Sequence, residues 1–133
     1  RSSTVSGLGD VYKRQVYYAG PNGSLCALLD RVFYSCSELL AYKPAASVAV
    51  CRRGGSSATF DRLNKYFTIL NMPVVSSQYW NSVHGMREGE ALQDAEGLQT
   101  MRTLGRNMAW ILRSLHENKF PESEKPIMTN FIR

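Results

Sequence analysis

Ala45-Ala46-Ser47-Val48-Ala49-Val50-Cys51, running into Arg52-Arg53-Gly54-Gly55-Ser56-Ser57, is the stretch that decides the fold. Its first seven residues are nearly all apolar and rich in small or β-branched side chains. That is the pattern of a strand buried on both faces, as in a parallel sheet. Two arginines, two glycines and two serines then break the pattern. Beyond them Phe60, Leu63, Phe67 and Leu70 recur at the spacing of one helical face, up to a stop at Asn71-Met72-Pro73. Strand, glycine-rich turn and amphipathic helix in this order make most of a βαβ unit.

Upstream, Leu25, Leu28, Leu29, Val32, Phe33, Cys36, Leu39 and Leu40 predict an earlier helix. Asn22 or Ser24 can cap it after the turn-forming Gly20-Pro21-Asn22-Gly23, and it closes before Lys43-Pro44. Downstream, Val74-Val75 with its flanks predicts another short strand, leading into Tyr79-Trp80-Asn81-Ser82-Val83-His84-Gly85. A third helix follows over roughly residues 92–117, with Ala95, Leu98, Met101, Leu104, Met108, Ile111, Leu112 and Leu115 inward. Residues 118–133 read as an irregular tail, with a short terminal strand at most.

Counting Val16-Tyr17-Tyr18 as a strand stub, strands and helices alternate. The expectation is an α/β fold with right-handed crossovers about a parallel sheet. Doubly wound sheets carry about five or six strands. Two strands and a stub therefore read as the second half of a larger domain.

The first fifteen residues fit none of this. Asp10-Val11-Tyr12-Lys13-Arg14-Gln15 matches one reading frame of a transposon-end adaptor used in DNA library preparation. A non-native leader over 1–15 is the expectation, with a genuine flexible leader or a short strand at residues 10–12 as the alternative. Residues 16–117 are then the C-terminal part of the domain. Without the leader, which holds three basic residues and one acidic, the net charge falls from +5 to +3.

That small surplus is scattered, with only Arg52 and Arg53 adjacent among the remaining basic residues, so no nucleic-acid face is expected. At 44% hydrophobic residues the chain is too apolar for disorder. No apolar run approaches the ~18 residues that cross a bilayer, so no membrane span is expected. Cys26, Cys36 and Cys51 are odd in number and contain no C-x-x-C pair. They predict neither a disulfide framework nor a metal site, but a reducing, cytoplasmic compartment.

Ligands of parallel α/β sheets sit at the carboxyl ends of strands. Three strand-to-helix loops qualify: residues 17–24, 52–57 and 76–90. In the second, paired glycines let a flat ligand approach the main chain, and the next helix aims its N–H groups into the same space. A loop that needs only flexibility and a helix cap has the same composition. Cys51 does not begin a phosphatase loop, which needs arginine where Ser57 stands. Neither a Walker loop nor a G-x-S-x-G elbow occurs. His116 is explained by the end of its helix, and His84 by a surface loop or by a place over Trp80.

The run from Val16-Tyr17-Tyr18 through Pro21-Asn22-Gly23-Ser24-Leu25 to Asp30-Arg31 resembles a segment of the NADPH-dependent FMN reductases, of the flavodoxin-like superfamily. Their pattern there is roughly S-P-V-Y-x-x-x-x-x-G-x-L-K-A-x-x-D-R. The likeness continues through Lys43-Pro44-Ala45, Cys51-Arg52-Arg53-Gly54-Gly55 and the Asp94-x-Glu96-Gly97-Leu98 pattern, covering about residues 16–117.

The resemblance implies a three-layer α/β/α fold with a parallel sheet in the order 2-1-3-4-5, here lacking the first two strands and most of the third. It implies FMN as cofactor, NAD(P)H as co-substrate and a possible homo-oligomer. Tyr17, Tyr18, Pro21, Asn22 and Gly23 would form one wall of the flavin site. Arg53, Gly54, Gly55 and Ser56 would line the ring edge, where N–H groups and positive charge favour electron-rich atoms. The flavin supplies the hydride chemistry, so neither a catalytic residue nor a metal is assigned. The family's phosphate loop after the first strand has no counterpart, which predicts an inactive fragment with poor FMN affinity. The alternative is a non-enzymatic interaction or assembly module of the same shape.

Overall fold

A computed structural model describes residues 16–116, 120–122, 124, 127 and 129. Two strands, β1 (Ala49–Cys51) and β2 (Ser82–His84), pair in parallel with Ala49 opposite Ser82, Val50 opposite Val83 and Cys51 opposite His84. Four helices accompany them: α1 (Gly23–Ser35), the single turn α2 (Ser37–Leu40), α3 (Ser56–Ile69) and α4 (Ala95–His116). A 3₁₀ turn at Glu90–Gln93 leads into α4. Helix α3 is the crossover between the parallel strands and packs on β1, while α4 packs on β2. Ala49, Cys51, Leu63, Met72, Val75, Val83 and Leu104 form the buried core. The α/β class with a parallel sheet is therefore as the sequence indicates.

Both helix stops follow local chemistry. The chain leaves α3 through Asn71 at φ +61, and the Met72 N–H donates to the Phe67 carbonyl at 3.1 Å. A left-handed residue after the cap with this backward bond closes a helix end, and asparagine tolerates the conformation. Tyr42, at φ +63, does the same after α2, and its N–H donates to the Asn71 carbonyl at 3.1 Å. The two helix ends are thus tied to each other.

The strands differ from their expected positions. The stretch expected as one strand over residues 45–51 is regular only at 49–51, and Ala45 makes a separate parallel bridge to Val74. The strand expected at Val74-Val75 is that single bridge, and the regular strand lies eight residues on. Between the two pairings the partner offset grows from 29 to 33, so four extra residues bulge out after Val75. The burial expected on both faces of β1 also fails. Ala49 and Cys51 are buried, whereas Val50 is half-buried and Val48 exposed.

The first predicted helix is broken at Cys36, where α1 ends with a bond from the Cys36 N–H to the Val32 carbonyl. Phe33 of its apolar face packs on Tyr66 and Phe67 of α3, with ring centroids 5.5 and 5.9 Å apart. Leu28 and Leu39 of that face are 57% and 68% exposed, so the inward stripe read from spacing is only partly covered. On α4, Ala95 and Leu112 are likewise exposed, while Leu104 is buried. Of the tail, Phe120 stacks on Tyr42 at 5.5 Å. The leader and the expected terminal strand lie largely outside the described residues.

The outer edge of β2 is blocked. Its outward N–H groups are used internally, Ser82 donating to the Trp80 carbonyl and His84 to Asp94 Oδ2, each at 2.7 Å. An edge whose donors are spent offers no template to a further strand.

Candidate functional site

The stub expected at Val16–Tyr18 is not a strand. The Val16 N–H donates to the Val50 carbonyl at 3.1 Å, and the chain then reverses. Tyr17 and Gly20 exchange both backbone hydrogen bonds at 2.8 Å, with Tyr18 and Ala19 between them at φ +46 and +57. Two left-handed residues inside such a pair make a tight mirror-image turn. Tyr18, at its tip, is fully exposed. Pro21, Asn22 and Gly23 follow directly, and Asn22 Oδ1 accepts the Ser24 N–H at 2.8 Å, capping α1.

The second loop comes against this turn. Gly55 is the N-cap of α3 at φ +89, and a Cβ there would lie 2.8 Å from Val16 Cγ1 and 2.9 Å from the Ala19 Cα. Only glycine allows both that dihedral and that approach. Residues 36 positions apart are thereby joined: the Tyr17–Gly20 turn and the start of α3 form one surface at the end of β1. Gly54, by contrast, faces open space. Arg53 and Gly54 are exposed and Ser56 is half-buried.

The electrostatics of this surface favour electron-rich atoms. Helix α3 begins without a side-chain cap and without an acidic residue in its first turn, so its leading N–H groups remain positive and available. Arg53 extends from the same loop. The charge of the neighbouring Arg52 helps hold the Glu90 carboxyl low. The larger cause there is that the Glu90 carboxylate accepts the Arg87 and Met86 N–H groups, at 3.0 and 2.8 Å. One turn into α3, the buried Thr59 hydroxyl has no hydrogen-bond partner among the described residues.

Tyr79, Trp80 and His84 border a cleft of about 230 Å³ with Ser82 of β2 and Asp94, Glu96, Gly97 and Thr100 at the start of α4. His84 ends β2 rather than lying in a loop, and its Nδ1 is 3.4 Å from Asp94 Oδ2. Asp94 Oδ1 also accepts the Gly97 N–H at 2.9 Å. The Gly97 and His84 N–H groups together hold the Asp94 carboxyl below the usual carboxylate range.

Sequence reasoning quoted Asp94 only as part of a pattern and passed over its role as cap, although an aspartate just before a helical period is a capping signal. It also passed over Asn81, 1% exposed, which donates to the Ser47 carbonyl and accepts from Ser77 Oγ. No local signal announces that network. Among the described residues no group of three or more His, Cys, Asp or Glu side chains is placed to hold a metal ion.

A parallel βαβ unit with a glycine-rich, cation-bearing loop at the carboxyl end of its first strand is an α/β arrangement of the kind that receives ligands at that end of the sheet. The NADPH-dependent FMN reductases match residues 13–86, more than half of the chain, and the chain belongs to that family, with its flavodoxin-like fold. An iron-sulfur flavoprotein of Methanocaldococcus jannaschii is 29% identical over 113 residues, covering 79% of this chain. The chain spans 58% of the length of that relative. No solved structure matches.

The residues present fit one edge of a flavin. The N–H groups of Gly54, Gly55 and Ser56 with the Arg53 guanidinium are a donor set whose chemistry suits the oxygen- and nitrogen-lined edge of the ring, and the exposed Tyr17–Gly20 turn adjoins it.

Proposed function

We propose that this chain carries the ring-binding wall of an NAD(P)H-dependent FMN oxidoreductase that moves hydride from nicotinamide to flavin and on to an acceptor. One observation supports the reading: Gly55, the N-cap of α3, packs on the Tyr17–Gly20 turn, so the two loops assigned to the flavin meet. Bound FMN supplies the hydride chemistry. The chain's own residues bind and orient. The Gly55 and Ser56 N–H groups and Arg53 hold the electron-rich edge, and Gly54, open above its Cα, leaves room for a flat ring. Tyr17, Tyr18 and Pro21 to Gly23 close one side and limit water there.

The matched family and the flavoprotein relative support this reading. Its test is titration with FMN followed by flavin fluorescence, then NADPH oxidation in the protein that carries the complete domain. Saturable binding that weakens in Arg53→Ala, with slower flavin reduction, is the expected result. Unchanged affinity and rate in that variant would remove Arg53 from the site.

A further inference from the structure

The cleft between β2 and α4 shares no residue with the proposed flavin wall. Two large aromatic side chains stand at its mouth. Tyr79 and Trp80 are 62% and 56% exposed, with ring centroids 5.2 Å apart and planes tilted by 46°. Aromatic surface left in water on a floppy loop would carry no message, but this segment is pinned at both ends. Ser77 Oγ donates to the Tyr79 carbonyl at 2.5 Å, and the Ser82 N–H donates to the Trp80 carbonyl at 2.7 Å. The buried Asn81 anchors it to the sheet, and Asn107 Nδ2 of α4 donates to the Ser76 carbonyl at 2.8 Å. The corner is held open rather than left open.

A Cβ at Gly97 would lie 3.1 Å from the Val83 Cα and press into Asp94, so glycine permits the close packing of α4 on β2 beneath the cleft.

The charge selects the occupant. The N-terminal end of α4 would favour an anion, but the Asp94 carboxylate already sits there, accepting the Gly97 N–H, and its charge repels one. Glu96 then remains, exposed in the first turn of α4 and without a side-chain partner among the described residues. A free carboxylate in a cleft lined by two aromatic rings repels phosphates and carboxylates and attracts a cation. The geometry points to a binding site for a small organic ammonium ion, its alkyl groups against Tyr79 and Trp80 and its charge facing Glu96. A cleft of about 230 Å³ takes a cation the size of tetramethylammonium.

The test uses the 133-residue chain carrying Trp110→Phe, leaving Trp80 as the fluorescent reporter. Tetramethylammonium chloride is titrated at constant ionic strength, with sodium chloride and the neutral isostere tert-butanol as parallel titrants. The expected result is a saturable change of Trp80 emission with tetramethylammonium alone, with affinity reduced about fivefold or more in Glu96→Gln. An equal response to tert-butanol or sodium chloride would overturn the site, as would unchanged affinity in Glu96→Gln. Neither outcome bears on the flavin reading, because no residue of the flavin wall takes part.

Discussion

Gly55 and Ala19 meet with no room for a side chain between them: a Cβ on Gly55 would stand 2.9 Å from the Ala19 Cα. Everything assigned to the flavin surface depends on this contact, because it sets the first loop against the second. Gly55→Ala adds both the clash and a left-handed dihedral at φ +89, a combination that costs on the order of 1–3 kcal/mol. Gly54→Ala meets open space and has no such dihedral. Chemical denaturation should separate the two variants, Gly55→Ala losing stability and Gly54→Ala staying within about 1 kcal/mol of the parent.

Asp94 joins the end of β2 to the start of α4 by accepting N–H groups from His84 and Gly97. Loss of such a cap in Asp94→Ala should cost about 0.5–2 kcal/mol. Hydrogen bonds from Gly97 and then His84 depress the folded pKa of this carboxyl. Its stabilisation is therefore fully present above the ordinary aspartate value of ~4 and disappears as the pH falls through the lower folded value. Unfolding midpoints measured from neutral to acid pH should show a decline that Asp94→Ala lacks.

Tyr66 bridges α3 and α1, its hydroxyl donating to Asp30 Oδ1 at 2.5 Å and to the Cys26 carbonyl at 3.4 Å. Desolvation first, and then the bond to Asp30, push its phenol up to about 12. The neutral form is the one the fold favours, so its contribution holds below the ordinary tyrosine value of ~10 and is lost as the pH rises through the folded value. Tyr66→Phe should cost about 0.5–1.5 kcal/mol at neutral pH. Phenolate absorbance should lose one late-titrating group in that variant.

Thr59 presents the reverse case. Its hydroxyl is buried without a partner among the described residues. Thr59→Val keeps the shape and removes the unsatisfied group, so stability should be unchanged or rise by about 1 kcal/mol. A loss beyond that would mean the hydroxyl is bonded in solution.

What could be read from residue order was what local chemistry decides. Asn22 caps α1 because asparagine before a helical period accepts an N–H, and α3 starts after paired glycines and stops at Asn71. The loop at residues 52–57 was recognisable for the same reason, since strand, glycine and helix follow one another in the chain. The strand β2 was not readable there. Ser82-Val83-His84 has one apolar residue, and its register is set by Asn81 reaching Ser47 and by a four-residue bulge, both long-range effects. Nor did composition announce the Tyr17–Gly20 turn, because tyrosine and alanine rarely adopt positive φ and do so here under the Gly55 contact. The cleft at Tyr79 and Trp80 likewise depends on where α4 docks.

The most direct measurement is amide chemical-shift mapping of the chain with lumiflavin, the flavin ring without its ribityl phosphate. It addresses the ring wall alone, whatever holds the phosphate elsewhere. The account predicts shifts concentrated at Tyr17, Tyr18, Gly54, Gly55 and Ser56 and diminished in Arg53→Ala. Shifts confined to other residues, or none at concentrations where the free ring is soluble, would contradict it.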